Sequence, residues 1–129
     1  MTKRKERAID IKKRTNIVKI VKEIAGISDE KKADYIKILD MRSRLIITDY
    51  FLIISAKNSR LTRSIEEEIR AYLKKKNLYP INTSGLSEGR WILVDYNHFI
   101  IHIFINELRE YYDLERLWRD SKEVKWSKS

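Results

Sequence analysis

The chain has 129 residues, enough for one domain that buries about two-thirds of its unfolded surface and too few for two. With 43% hydrophobic residues, three glycines and one proline it has the composition of a folded chain, and the lack of cysteine excludes disulfides, thiolate zinc sites and thiol catalysis. The net charge is +9, and it is unevenly spread: residues 1–14 hold Lys3, Arg4, Lys5, Arg7, Lys12, Lys13 and Arg14 against Glu6 and Asp10, which makes +5 there and leaves +4 for the rest.

No apolar run approaches the roughly 18 residues that span a bilayer and no secretory core follows Met1, so a soluble, cytoplasmic protein is expected. The first segment has two acidic residues and little serine, a poor match to an organelle transit peptide. Residues 1–14 read as a basic, disordered arm on a single domain of residues 15–129. Its seven basic residues suit contact with RNA, because neutralised phosphates release counterions and so add affinity whatever the base sequence.

In chain order, Ile17, Ile20, Val21 and Ile24 recur at helical spacing and Gly26 is a natural stop, so a first helix of about ten residues is expected. A polar segment, Ser28 to Lys32, leads to a β-rich run from Tyr35 closed by Asp40. Residues 49–56 are continuously apolar after Asp49, the pattern of a strand buried on both faces. Asn58 or Ser59 then caps a helix carrying Leu61, Ile65, Ile69, Tyr72 and Leu73. Its runs Glu66–Glu68 and Lys74–Lys76 follow the helix dipole and read as a solvated face. Pro80 ends that element, Ile81 begins a short edge strand, and a loop from Gly85 to Gly89 leads into two more strands.

Those two strands, 91–96 and 99–105, carry the most information. An even-length turn at Tyr96, Asn97 and His98 places Ile92, Val94, Phe99, Ile101, Ile103 and Ile105 on one wholly apolar face. The other face carries Trp91, Leu93, Asp95, Ile100, His102 and Phe104, too hydrophobic for solvent and too polar for an interior. That is the composition of a surface where aromatic anchors meet a partner, unless the C-terminal helices or the first helix cover it. His98 and His102 are about 13 Å apart along one strand, too far to share a metal, so no metal and no cofactor is expected. Neither an elbow-type serine nor a glycine-rich phosphate loop accompanies them.

Toward the C-terminus Asn106 caps a turn with Leu108, Tyr111 and Tyr112, and Asp113 caps a second in which Leu114, Leu117 and Trp118 share a face. Arg109 and Glu115 are its polar members, free to pair with each other, with Asp95 or with a partner's charges. The elements together describe an α/β or α+β layer, a mixed sheet flanked by helices.

The order of Asp40, Thr48-Asp49-Tyr50-Phe51, Ser55, Ser59, Trp91 through Asp95-Tyr96, His102-Ile103-Phe104, Arg109 to Tyr112 and Leu114 to Trp118 resembles the bacterial ribosomal silencing factor, or Iojap, family over about residues 34–118. The resemblance implies a topology like that of nucleotidyltransferases without their catalytic residues, and no enzymatic activity. It further implies a translational repressor that binds the large ribosomal subunit through a protein of the L-fourteen family. Docking there blocks joining of the small subunit in nutrient limitation, and the free protein is expected to be a homodimer. On this basis Trp91, Leu93, Asp95, Tyr96, His102, Arg109, Tyr112 and Glu115 are assigned to the ribosomal contact. Two positions depart from the family pattern: Ser84 stands where an acidic residue precedes the loop glycine, and Asn97 replaces the turn glycine. The alternatives are an RNA-binding ribosome assembly module and a nucleotidyltransferase-like enzyme, for which Asp40, Asp49 and Asp95 would be the carboxylates.

Overall fold

A computed structural model describes residues 3–43, 48–111, 113 and 115–126, with the backbone alone at 3–15, 115 and 117. The elements are α1 (Lys3–Glu30), β1 (Tyr35–Asp40), β2 (Tyr50–Ala56), α2 (Ser59–Lys75), β3 (Asn82–Ser84), β4 (Trp91–Asp95), β5 (Phe99–Ile105), α3 (Asn106–Tyr111), α4 (Glu115–Trp118) and β6 (Lys122–Val124). The strands form one mixed sheet in the order β3-β4-β5-β2-β1-β6, in which β2 and β5 are parallel and every other pairing is antiparallel.

The expected hairpin register is observed: Ile92 lies opposite Ile103 and Val94 opposite Ile101. Asn97, with φ of 75°, makes the tight turn, and the Tyr96 N–H donates to the Phe99 carbonyl at 3.0 Å. One sheet face therefore carries Ile92, Val94, Phe99, Ile101 and Ile103 with Tyr50, Leu52 and Ile54, and it is sealed by Val21 and Ile24 of α1 and Ile65, Ile69 and Leu73 of α2. At the centre of the sheet all of β2 is buried except the half-buried Phe51, as its continuous apolar run requires.

Three expectations are corrected. The first helix runs 28 residues, through Gly26 at one end and through the basic segment at the other. Gly26 does not stop it because Ile24, Ala25 and Ser28 are buried against the body on either side, and packing outweighs the roughly 1 kcal/mol cost of a helical glycine. It ends in a double-bonded cap in which Lys32, at φ of 70°, takes the left-handed position and the Ala33 N–H reaches the Ser28 carbonyl at 3.0 Å. α2 is capped by the Asn58 side chain, which accepts from the Leu61 N–H at 2.9 Å, and is ended by Asn77 (φ 61°) rather than by Pro80. Glu66, read above as solvated, is 2% exposed: it faces the β4–β5 hairpin, and its carboxylate is forked by Arg70 at 3.1 and 3.3 Å. β6 was not foreseen; its three residues extend the sheet by pairing with β1.

The loop before β4 is pinned to α2. The Thr62 hydroxyl donates to the Gly89 carbonyl at 2.5 Å, and the Arg63 guanidinium to the Ser87 and Glu88 carbonyls at 3.3 and 3.2 Å. Gly85, at φ of 78°, leaves no room for a side chain, since a Cβ there would lie 1.9 Å from the Trp91 carbonyl oxygen. Gly85→Ala is therefore expected to cost more than the about 1–2 kcal/mol of a left-handed alanine. A urea unfolding midpoint equal to that of the parent protein would contradict this account.

Candidate partner-docking face

The second sheet face is covered at one end and open at the other. At the covered end Trp118 of α4, 8% exposed, stacks on Phe104 with centroids 6.3 Å apart and donates its indole N–H to the Tyr35 hydroxyl at 3.2 Å. Phe104 thus lies between Trp118 and Trp91, whose ring centroid is 4.8 Å away. Trp91 itself is 42% exposed, a large aromatic held in place from beneath by a buried one. Leu93, opposite His102, and Asp95, opposite Ile100, continue the face along β4.

His102 fills the space between the rings. Phe51 meets it edge-on at 4.9 Å, and its Nδ1 accepts from the Trp91 indole N–H at 3.4 Å. The proton of the neutral ring then sits on Nε2, which is buried and has no hydrogen-bond partner among the described residues. Burial with no compensating anion lowers the pKa of this imidazole to about 4, because the charged form would lose its hydration. His102 is consequently an uncharged spacer under Trp91. His98 is engaged elsewhere, with Nδ1 3.6 Å from Asp49.

Asp95 has two roles in the geometry. Its Oδ1 accepts from the Asn97 N–H at 2.7 Å, which closes the turn, and the half-buried carboxylate lies on the open face beside Leu93 and Trp91. β3 extends this face: exposed Asn82 and Ser84 pair with Asp95 and Leu93.

The remaining assigned residues are scattered. Tyr96 points to the opposite, helical side, 8% exposed and stacked on Phe99 at 5.2 Å; it belongs to the core of the turn and not to the open face. Burial and the Glu66 charge raise its hydroxyl pKa to about 12. Arg109 lies at the covered end, its guanidinium 4.3 Å from the Tyr35 ring and donating to the Ser55 hydroxyl at 3.1 Å, so it does not pair with Asp95. Tyr112 and the Glu115 side chain fall outside the described residues, as do the side chains of Lys3, Arg4, Lys5, Arg7, Lys12, Lys13 and Arg14, whose backbone forms the first half of α1. Asp40 is forked by Arg42 at 2.9 and 2.7 Å, and that contact holds its pKa below the usual carboxylate range. Phe51 was missed as a member of the face, since only the pairing of β2 with β5 sets it beside His102.

A helix-backed mixed sheet with an aromatic face that the described residues leave partly open defines a small α+β domain. The family model for the ribosomal silencing factor during starvation matches residues 14–129, and the chain belongs to that family. It is 34% identical over 102 residues to the ribosomal silencing factor RsfS of Bacillus subtilis, covering 79% of this chain and 86% of the relative. It is 29% identical over 92 residues to a Mus musculus protein named for mitochondrial assembly of the ribosomal large subunit, covering 69% of this chain and 40% of that one. A crystal structure of a Chromobacterium violaceum protein shares the fold, with a TM-score of 0.74 at 23% identity over 87% of this chain and 96% of the other.

The buried imidazole sets a pH dependence. Because the folded pKa of about 4 lies below the ordinary 6.5, the stability His102 contributes is complete above pH 6.5 and is lost as pH falls toward 4. His102→Gln should flatten that part of the stability profile, and the imidazole resonances of His102 should titrate near pH 4. A midpoint near 6.5 would contradict the buried, neutral assignment.

Proposed function

We propose that the chain is a translational repressor that docks on the large ribosomal subunit through the open end of the second sheet face. The observation that carries this is Trp91, 42% exposed yet supported by buried Phe104 and by His102, with Leu93 and Asp95 beside it. A pre-positioned aromatic needs no ordering on binding, and such residues at the centre of an interface commonly contribute most of its free energy. Asp95 adds a charge suited to a basic protein. In this reading the partner is a ribosomal protein of the L-fourteen family, and the bound repressor blocks joining of the small subunit when nutrients are short. The membership of this chain in the silencing-factor family supports both steps. Ribosomal RNA is a second partner, and the free protein is a homodimer. The reading assigns no reaction to the chain.

Sedimentation with separated ribosomal subunits tests it. The parent protein should travel with the large subunit, and Trp91→Ala should weaken binding by about 2 kcal/mol, roughly thirtyfold. Asp95→Asn keeps an acceptor for the Asn97 N–H while removing the charge, so a loss of affinity without a loss of stability would separate its two roles. If folded Trp91→Ala and Asp95→Asn proteins both bind the large subunit like the parent, the docking face is elsewhere.

A further inference from the structure

The positive charge that the docking face leaves unused gathers on the other side of the sheet. α1 and α2 run antiparallel there: Lys31 reaches Glu68 at 3.7 Å, and Glu23, two turns earlier in α1, accepts from the Tyr72 hydroxyl further along α2. Moving toward the start of α1 is therefore moving toward the end of α2, where Lys74, Lys75 and Lys76 are all exposed. Lys19 and Lys22 are exposed on the same stretch of α1. Lysines complement the C-terminal dipole of a helix, but the dipole amounts to about half a charge, and three lysines exceed it.

The helix then continues in the same direction. Its buried stripe is Ile17, Val21, Ile24 and Ser28. The positions that would extend the stripe by three and four residues are Arg14 and Lys13, Asp10, Arg7 and Glu6, and Lys3. Ile9 and Ile11 flank that line, at the angles of Ile27 and Val18. The central line of this segment is charged, where the rest of α1 carries Ile17, Val21 and Ile24. From residue 3 to residue 16 it is about 21 Å long at 1.5 Å per residue. The match to the silencing-factor model begins at residue 14, so six of the seven basic residues of positions 3–14 precede it.

We propose that Lys19, Lys22 and Lys74–Lys76 form a phosphate-binding surface for the backbone of ribosomal RNA, on the helical side of the sheet and separate from the Trp91 face, to which the basic sequence of residues 3–14 adds charge. Within residues 1–22 and 74–76 the basic residues number twelve and the acidic ones two, with no aromatic side chain among them. That composition suits sequence-independent contact with phosphates and not base stacking. The choice of RNA, among polyanions, rests on the ribosomal reading above.

Fluorescence anisotropy with a short duplex from large-subunit ribosomal RNA, titrated from about 50 to about 300 mM salt, tests the proposal. The full chain should bind at low salt with an affinity that falls steeply as salt rises. The variant Lys74→Gln, Lys75→Gln, Lys76→Gln, altered only at exposed positions, should bind more weakly and lose roughly two to three units of the salt slope. Trp91→Ala should bind the duplex like the parent while losing affinity for the intact large subunit. Absence of duplex binding at low salt, an unchanged salt slope in the triple variant, or tighter binding to phosphatidylserine vesicles than to the duplex would overturn the proposal. Failure of the parent to sediment with the large subunit counts against the docking face alone, because the duplex titration is read without the ribosome.

Discussion

The parallel pairing of β2 with β5 is the constraint on which the rest of the structure depends. It sets Tyr50 beside Phe99 and continues without a break to Ala56 beside Ile105, so that two almost wholly apolar strands lie at the centre of the sheet. Strands of that kind must be covered on both faces. On the first face the demand is met by α1 and α2. A parallel connection needs a crossover, and α2 provides part of it, seated by Ile65, Ile69 and Leu73. Among the described residues the second face has the short α3 and α4, and Trp118 covers one end of it. The exposure of Trp91 is the remainder of that unequal coverage.

Polar groups are placed where this arrangement can satisfy them, and the exceptions are informative. Asp95 is partly used by its own turn, Glu66 is neutralised by Arg70, and Asp40 by Arg42. His102 is different: one nitrogen has Trp91 and the other has no partner among the described residues. A neutral imidazole is tolerated there because its ring packs against Phe51 and Phe104 as an aromatic would. The indole N–H contact then fixes the orientation of Trp91, so a buried polar group serves to aim an exposed apolar one.

The two sides of the sheet consequently differ in chemistry. One carries the exposed Trp91 ring with the Asp95 carboxylate, and the other the exposed Lys19, Lys22 and Lys74–Lys76. In the proposed reading each side meets its own kind of partner, and separate surfaces gain affinity by simultaneous engagement.

Much of this was legible in the residues. The alternation in 91–105 and the turn at Asn97 determine the hairpin register, since neighbouring side chains and a short loop decide which positions share a face. The division of the hairpin into an apolar face and a mixed aromatic one was visible for the same reason, as was the amphipathic stripe of α2. Only the tertiary structure decided that Tyr96 turns to the core while Asp95 stays on the open face, that Glu66 leaves its charge run to be buried, and that α1 runs through Gly26 into the basic segment. It also decided the place of Phe51 and the existence of β6, three residues with little pattern of their own. Local spacing tells which residues of one element point the same way. Which face is buried, by what and how completely is settled by packing between segments distant in the chain.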